Sequence, residues 1–450
     1  MTNSIAPDYV DAMEWRAYCK KLKLEYQQAT EEGLDLERYR NLFYAVAEMP
    51  DGKNKEDMSD VLFNIVINSK IRDGYKYDEP DDIDGIHALR DGFTIKGKLP
   101  DNETMKKKIE GAWYGRICGC LLGKPVECSR TDELIPFLKD INNYPMTRYI
   151  LNSEITDEIE SKYNFRFINK TYIDNTDGAP VDDDTNYTVM SQLLIDKYGK
   201  DFTSDDVADM WLSTQPVYNY FTAERVAFKN LIMGYTPPNS AKYKNPFREW
   251  IGAQIRGDYY GYINPGDAEK AAHMAWRDAT VSHIKNGIYG EMFVSAMLAC
   301  CAVSDNITEI IKGGLGQIPK SSRLYEEIYD VIADYEAGVN HETVFNKIHK
   351  KYDEYTDHGW CHTLSNAKIV AASLLYGEGN YGKSICMAVQ TGFDTDCNAA
   401  TVGSVLGMTF GIDAIESYWY APLNNKLSTS IIGHNEVLIS DLIENTIKHI

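Results

Sequence analysis

With 450 residues, 44% of them hydrophobic, the chain can bury one large core plus an extension, or two to three ordinary cores. Its 67 Asp and Glu against 46 Lys and Arg leave a net charge of -21, which repels a nucleic-acid backbone on average and suits cation binding. Nine cysteines without a CxxC pair or zinc-like Cys/His spacing exclude a disulfide framework and a structural zinc motif, and point to reduced thiols in a cytoplasm. The start, MTNSIAPDYVDAMEW, lacks a basic stretch before an apolar one, and no apolar run reaches about 18 residues. A soluble, cytoplasmic chain with no membrane span is expected.

From about Asp8 to Met49 apolar residues return mostly at three and four (Val10, Met13, Trp15, Tyr18, Leu22, Tyr26, then Leu36, Tyr39, Phe43), which predicts helix. A second helix is expected over 58–69 after the polar loop PDGKNKED, and the acidic run EPDDIDG at 79–85 marks a break. Residues 1–103 thus read as a helical N-terminal extension of unknown role, and 104–450 as the main domain. Near its start, MKKKIEGAWYGRICGCLLGKPVE spaces Gly111, Gly115, Gly119 and Gly123 four apart, on one helix face. Residues 130–180, rich in Asn, Asp, Tyr and Pro, read as an irregular excursion. VDDDTNYTVMSQLLIDKYG then enters a helix that Gly199 should close. Further helices are expected at 204–213, 219–233, 267–279, 286–304, 323–336, 341–352, 363–376 and 381–390. No run of alternating strands appears, so the main domain is expected to be all-α.

The segment TGFDTDCNAATVGSVLGMTFG at 391–411 repeats the glycine spacing at Gly403, Gly407 and Gly411. Glycine costs roughly 1 kcal/mol against alanine inside a helix, so two such ladders predict a close helix pair. That pair would bring the segment ending at Glu127 near the one beginning at Asp394. Asp182, Asp183 and Asp184 open their helix as an acidic cap would. Three consecutive acids exceed what a cap needs, however. With Asp394 and Asp396 they make five carboxylates from two distant segments, enough for one or two hard cations such as Mg²⁺ or Mn²⁺.

The ladder ending in GCLLGKPVE, then DDDT, then GFDTDCNAATVGSVLG, in this order on an all-α chain, resembles the signatures of the ADP-ribosylglycohydrolase family over roughly residues 106–450. The resemblance implies an orthogonal multi-helix bundle with two divalent cations, Mg²⁺ or Mn²⁺, at the floor of a cleft for an ADP-ribose-containing substrate. By position it implies metal ligands Asp182, Asp183, Asp184, Asp394 and Asp396, with Cys397 in a sixth slot. It also implies a catalytic or gating Glu127 acting with Asp183 and Asp184. IGAQIRGDYYG resembles the family's glycine-rich loop, which implies Gly252, Ala253, Gln254 and Arg256 near diphosphate and ribose, and His283 lining the cleft. Four positions depart from the family pattern: Asp182 replaces Thr, Cys397 replaces Thr, Cys120 replaces Asp and Phe393 replaces Gly. Soft sulfur suits Zn²⁺ better than Mg²⁺, so water rather than Cys397 is expected in the sixth slot.

These expectations make the chain a metal-dependent hydrolase that cleaves ADP-ribose from a protein side chain or small molecule. Cleavage at ribose develops oxocarbenium character while water attacks, a task for bound cations and an unligated carboxylate such as Glu127. Blander readings are a solvated Arg256, a structural His283, and packing roles for Trp276 and Trp360. A non-catalytic ADP-ribose-binding or structural member of the same fold is the alternative. DDDTN also fits the DDxx(D/N) pattern of helical terpenoid synthases, and DTDCN vaguely a phosphatase motif, but neither explains the glycine ladders.

Overall fold

The computed structural model describes residues 16–163 and 170–450, and the expected all-α architecture is what they form. The one sheet among the described residues is a hairpin, β1 (Lys426–Ser428) antiparallel to β2 (Glu436–Leu438), with Leu427 opposite Val437. Three residues per strand are too few to show alternation in a sequence.

The helix expected from Asp8 is outside the described residues as far as residue 15. Beyond that it is broken into α1 (Leu22–Glu31) and α2 (Arg40–Ala47), because Gly33 turns the chain with a φ of 94° and Leu34 bridges to Ile71. With α3 (Lys53–Asn68) they bury Leu22, Leu36, Phe43 and Leu62 in a small core of their own. The acidic run at 79–85 is not only a break. Asp82 accepts from the Gly85 N–H and so caps α4 (Ile83–Leu89), whose Ile86 joins the large core.

Buried ion pairs tie this N-terminal region to the rest. Arg248 sits 2.9 Å from Glu25 and 2.6 Å from Glu32, while Arg323 lies between Glu79 (2.8 Å) and Glu249 (2.7 Å). Removing one partner of such a set strands buried charge, at a cost of about 3–5 kcal/mol. Arg248→Met is therefore expected to lower the urea midpoint of unfolding by that amount of stability, and an unchanged midpoint would show that the contact is dispensable.

The main domain opens with α5 (Asn102–Gly123). The stretch expected to be irregular contains α6 (Thr131–Asp140) and α7 (Asp157–Lys162); Pro136 inside α6 reads as a breaker, and residues 164–169 lie outside the described residues. Next come α8 (Asp183–Tyr198), closed by Gly199 at φ 73°, α9 (Ser204–Thr214), α10 (Thr222–Ile232), α11 (Asn239–Lys242), α12 (Asp258–Tyr262), α13 (Ala268–Ala279) and α14 (Lys285–Cys301). Then follow α15 (Ile307–Leu315), α16 (Arg323–Glu336), α17 (His341–Lys351), α18 (Asp357–Cys361), α19 (Thr363–Tyr376) and α20 (Tyr381–Gln390). The chain ends with α21 (Thr395–Phe410), α22 (Ser417–Tyr420) and α23 (Ile439–His449). In α14, α19 and α21 nearly every residue is buried, as expected of helices apolar all round. No helix among the described residues is long and apolar enough to cross a membrane.

The seam between α5 and α21 positions the site. A Cβ on Gly115 would lie 2.2 Å from the Gly403 carbonyl oxygen, one on Gly119 would lie 2.1 Å from that of Ala399, and one on Gly407 would lie 1.9 Å from that of Gly111. The two backbones thus touch with nothing between them. Gly411 ends α21 at φ 77° and still meets α5, its carbonyl carbon lying 2.7 Å from a Cβ built on Gly111, while Ala399 extends the seam opposite Gly119.

Candidate active site

At the lower end of this seam, a Cβ on Gly123 would lie 2.4 Å from the Asp396 N–H nitrogen, and Thr395 donates its hydroxyl to the Gly123 carbonyl at 2.9 Å. The turn after α5, Lys124–Val126 and then Glu127, is thereby pinned against the start of α21. The N-terminus of α8 arrives beside it, and the positive ends of both helix dipoles favour the acids gathered there. Asp182 caps α8 by accepting from the Asp184 N–H at 3.0 Å. Asp394 occupies the N-cap position of α21 without using its carboxylate as a cap. The preceding Gly392 and Phe393 both adopt left-handed φ, 79° and 59°; for a buried phenylalanine this is local strain at a functional site.

Around this floor lies a cleft of about 290 Å³. Lys124, Glu127, Asp182, Asp183, Asp394, Asp396 and Cys397 line it, together with Phe221, Glu224 and Gly252 and with Trp360 and Cys361 of α18. Ligating atoms fall into three groups, each within 4.8 Å: Cys120, Asp182 and Asp184; Asp184, Asp396 and Cys397; Glu127, Asp394 and Asp396. Asp183 belongs to none of them; it is half-buried and lines the cleft.

Left to themselves, these acids repel one another. The Asp396 charge, then burial, push Glu127 well above the carboxylate range; burial and Asp182 do the same to Asp183. Burial leads in raising Asp184 and Asp394, and it pushes Asp396 up to about 6, with Asp182 adding to the effect. Two cationic side chains offset part of this. Lys124 reaches Asp182 at 2.5 Å, and buried Arg116 holds Asp184 at 3.0 Å and Asp258 at 2.9 Å. Asp184 Oδ2 and Asp396 Oδ1 remain fully buried with no hydrogen-bond partner among the described residues. Orphaned carboxylate oxygens facing a shared space are the donor set a hard divalent cation takes.

The glycine-rich loop needs correction. Of its expected ligands only Gly252 lines the cleft, and a Cβ there would lie 2.1 Å from Glu224 Oε1. Ala253 is fully buried, and Gln254 accepts from the Thr363 hydroxyl at 2.8 Å, inside the protein. Arg256 is 1% exposed beneath the wall, at 2.5 Å from Asp278, 2.6 Å from Glu224 and 3.4 Å from Glu291, with the Trp211 ring 5.0 Å away. It braces Glu224 rather than meeting a ligand. Burial outweighs Arg256 and pushes Glu224 up to about 7. His283 is fully buried, pairs through Nδ1 with Ser282 at 2.8 Å, and is kept neutral by burial and by Arg256. Arg256→Met should therefore cost about 3–5 kcal/mol in urea unfolding. A ligand contact would instead leave stability intact and weaken binding.

Sequence reasoning missed Lys124, Phe221 and Glu224, and it read Trp360 as a packing residue although the ring lines the cleft. Trp276 does pack, donating its indole N–H to the Asp81 carbonyl. On the other side of α18, Glu31, His358 and His362 also gather within 4.8 Å. There His358 Nδ1 accepts the Trp250 indole N–H and His362 Nδ1 accepts the Leu364 N–H, which leaves the ring protons on Nε2. Those nitrogens are donors, not metal ligands.

The sequence profile described as ADP-ribosylglycohydrolase matches residues 101–448. A solved structure described as an ADP-ribosylglycohydrolase-related protein complex is similar at 14% identity, covering 77% of this chain and 98% of that one, with a TM-score of 0.44. No curated protein matches the chain. With most of its length matched by the family's profile, the chain belongs to the ADP-ribosylglycohydrolase family.

Proposed function

We propose that the chain is a divalent-cation-dependent hydrolase that cleaves the glycosidic bond joining ADP-ribose to a protein side chain or small molecule. The observation that carries this reading is the pair of orphaned buried oxygens, Asp184 Oδ2 and Asp396 Oδ1, at the floor of a cleft lined by further acids. Asp184, Asp394 and Asp396 are oxygen donors of the kind Mg²⁺ and Mn²⁺ prefer, with Glu127 beside them left unligated. When bound, such a cation supplies Lewis acidity and lowers the pKa of a coordinated water.

The chain's own residues supply the rest. Glu127 is part-buried on the cleft, and in the metal-free protein the charge of Asp396, then burial, raises its affinity for a proton. It can hand that proton to the departing acceptor atom and take one from water. Asp183, half-buried on the cleft and outside the ligand groups, orients ribose hydroxyls. Phe221, 48% exposed, and Trp360 offer ring faces for an adenine. The buried Glu25, Glu32 and Glu79 make the region before residue 104 a brace for the cleft walls, through Arg248 and Arg323.

The test is a calorimetric titration of metal-free protein with ADP-ribose, with and without Mg²⁺ or Mn²⁺. Saturable binding that requires the cation is the expected result; absence of binding under every condition would remove ADP-ribose as the ligand. Glu127→Gln should keep that binding yet lower turnover of an ADP-ribosylated acceptor by about 10²–10⁴-fold. Unchanged turnover would take Glu127 out of the proton-transfer role.

A further inference from the structure

We infer that the cavity behind α18 is a second ligand site, built for a neutral, planar, acceptor-bearing ring of the nucleobase class. It is distinct from the catalytic cleft, although α18 borders both: Trp360 and Cys361 line the cleft, His358 and Gly359 the second cavity. The cavity holds about 580 Å³ and has lining residues from both the N-terminal region and the main domain. Small-molecule sites span roughly 300–1,000 Å³.

Its walls carry buried donors with nothing to donate to. The Arg323 guanidinium spends Nε on Glu79 and Nη2 on Glu79 and Glu249, which leaves Nη1 without a partner among the described residues. His362 accepts the Leu364 N–H on Nδ1 at 3.1 Å. Burial, then His358, pushes its pKa down to about 3, so the neutral ring keeps its proton on Nε2. Glu249 Oε2, 3.9 Å away, is too far to accept it. The Tyr352 hydroxyl is likewise buried and unpartnered. Arg323 and His362 are only 7% and 1% exposed, and with Tyr352 they line one space. Three such donors call for an acceptor that the protein does not supply.

Charge decides what kind of acceptor. Arg323 is already offset by Glu79 and Glu249, and the other cations of the lining, Arg72 and Lys351, are outweighed by Glu31, Glu327 and Asp353. No positive excess remains for a phosphate or a carboxylate, whose desolvation would go uncompensated, so a neutral group is selected. Ring faces add the rest. Tyr75 and Tyr77 meet edge to face with centroids 5.4 Å apart, and Tyr352 stands on the same lining. A nucleobase offers a flat face to such rings and accepting nitrogens or carbonyls along its edge.

The experiment is a calorimetric titration with adenosine of full-length protein, free of divalent cations and carrying Phe221→Ala, which removes an exposed ring from the catalytic cleft. Saturable binding is expected, weakened at least about threefold by Tyr352→Phe, which deletes one donor and keeps the ring, and likewise by Tyr77→Ala. No binding would leave the donors to water alone and overturn the inference. So would binding that either change leaves untouched, or adenosine displaced by inorganic phosphate, which would show an anion site. The cation-dependent titration of the wild-type chain with ADP-ribose reads the catalytic cleft and is decided separately.

Discussion

Asp396→Ala is expected to abolish divalent-cation binding and to lower turnover by at least about 10³-fold, equivalent to roughly 4 kcal/mol of transition-state stabilisation. Asp396 belongs to two of the three ligand groups, and its Oδ1 has no other partner, so no neighbouring side chain can replace it. Stability should move the other way. In metal-free protein the Asp396 carboxyl titrates at about 6, above its ordinary value near 4, because it is buried and faces Asp182. A raised carboxyl binds its proton more tightly folded than unfolded. Its contribution to stability is therefore fully present below about pH 4 and is lost as pH rises through 6. The metal-free wild type should melt at progressively lower temperature between pH 4 and 7, Mn²⁺ should reverse that loss, and Asp396→Ala should show a shallower slope and no response to Mn²⁺. A variant that retained the Mn²⁺-induced rise in melting temperature would refute Asp396 as a ligand.

Gly407→Ala is expected to destabilise the protein by at least about 3 kcal/mol, lowering the melting temperature by about 4 °C. On an isolated helix the same change would be favourable by roughly 1 kcal/mol. The sign reverses because the new methyl carbon would lie 1.9 Å from the Gly111 carbonyl oxygen and 2.3 Å from its carbon, both backbone atoms within α5. A side chain could swing aside; the main chain of a buried helix can do so only by separating the pair. Because α5 ends at the Lys124–Glu127 turn and α21 begins at Thr395, next to Asp394 and Asp396, separation also spreads the acids, and cation affinity should fall with stability. Differential scanning calorimetry with and without Mn²⁺ measures both. A neutral or stabilising result would mean the two helices do not meet along this face.

The helices of the main domain and the acidic floor were legible because their signals are local. Apolar spacing marks α13 or α16, and Asp182–Asp184 and Asp394–Asp396 each lie within one turn of a helix start. The ladders of Gly111–Gly123 and Gly403–Gly407 even indicated which elements would meet. What failed was whatever depends on the distant partners of a charge. Arg256 resembled a ligand-binding arginine, yet Glu224, Asp278 and Glu291, from α10, α13 and α14, surround it. Lys124 was passed over for the opposite reason: a lysine after glycine reads as solvated, and only the docked Gly123 shows that it faces Asp182. Gly33 was overlooked as a break because the apolar spacing continues on either side of it.

Helices that meet through long side chains can slide past each other by exchanging rotamers, but α5 and α21 meet main chain to main chain along their glycines, with Lys108 donating to the Met408 and Thr409 carbonyls at one end and Thr395 to the Gly123 carbonyl at the other. Each is locked into the other's grooves, and the next equivalent register lies four residues away, a jump of about 6 Å. The floor of the cleft is therefore a fixed datum that cannot breathe with the substrate. The parts of the cleft lining that this lock does not hold include Phe221 at the start of α10 and Trp360 on the five-residue α18.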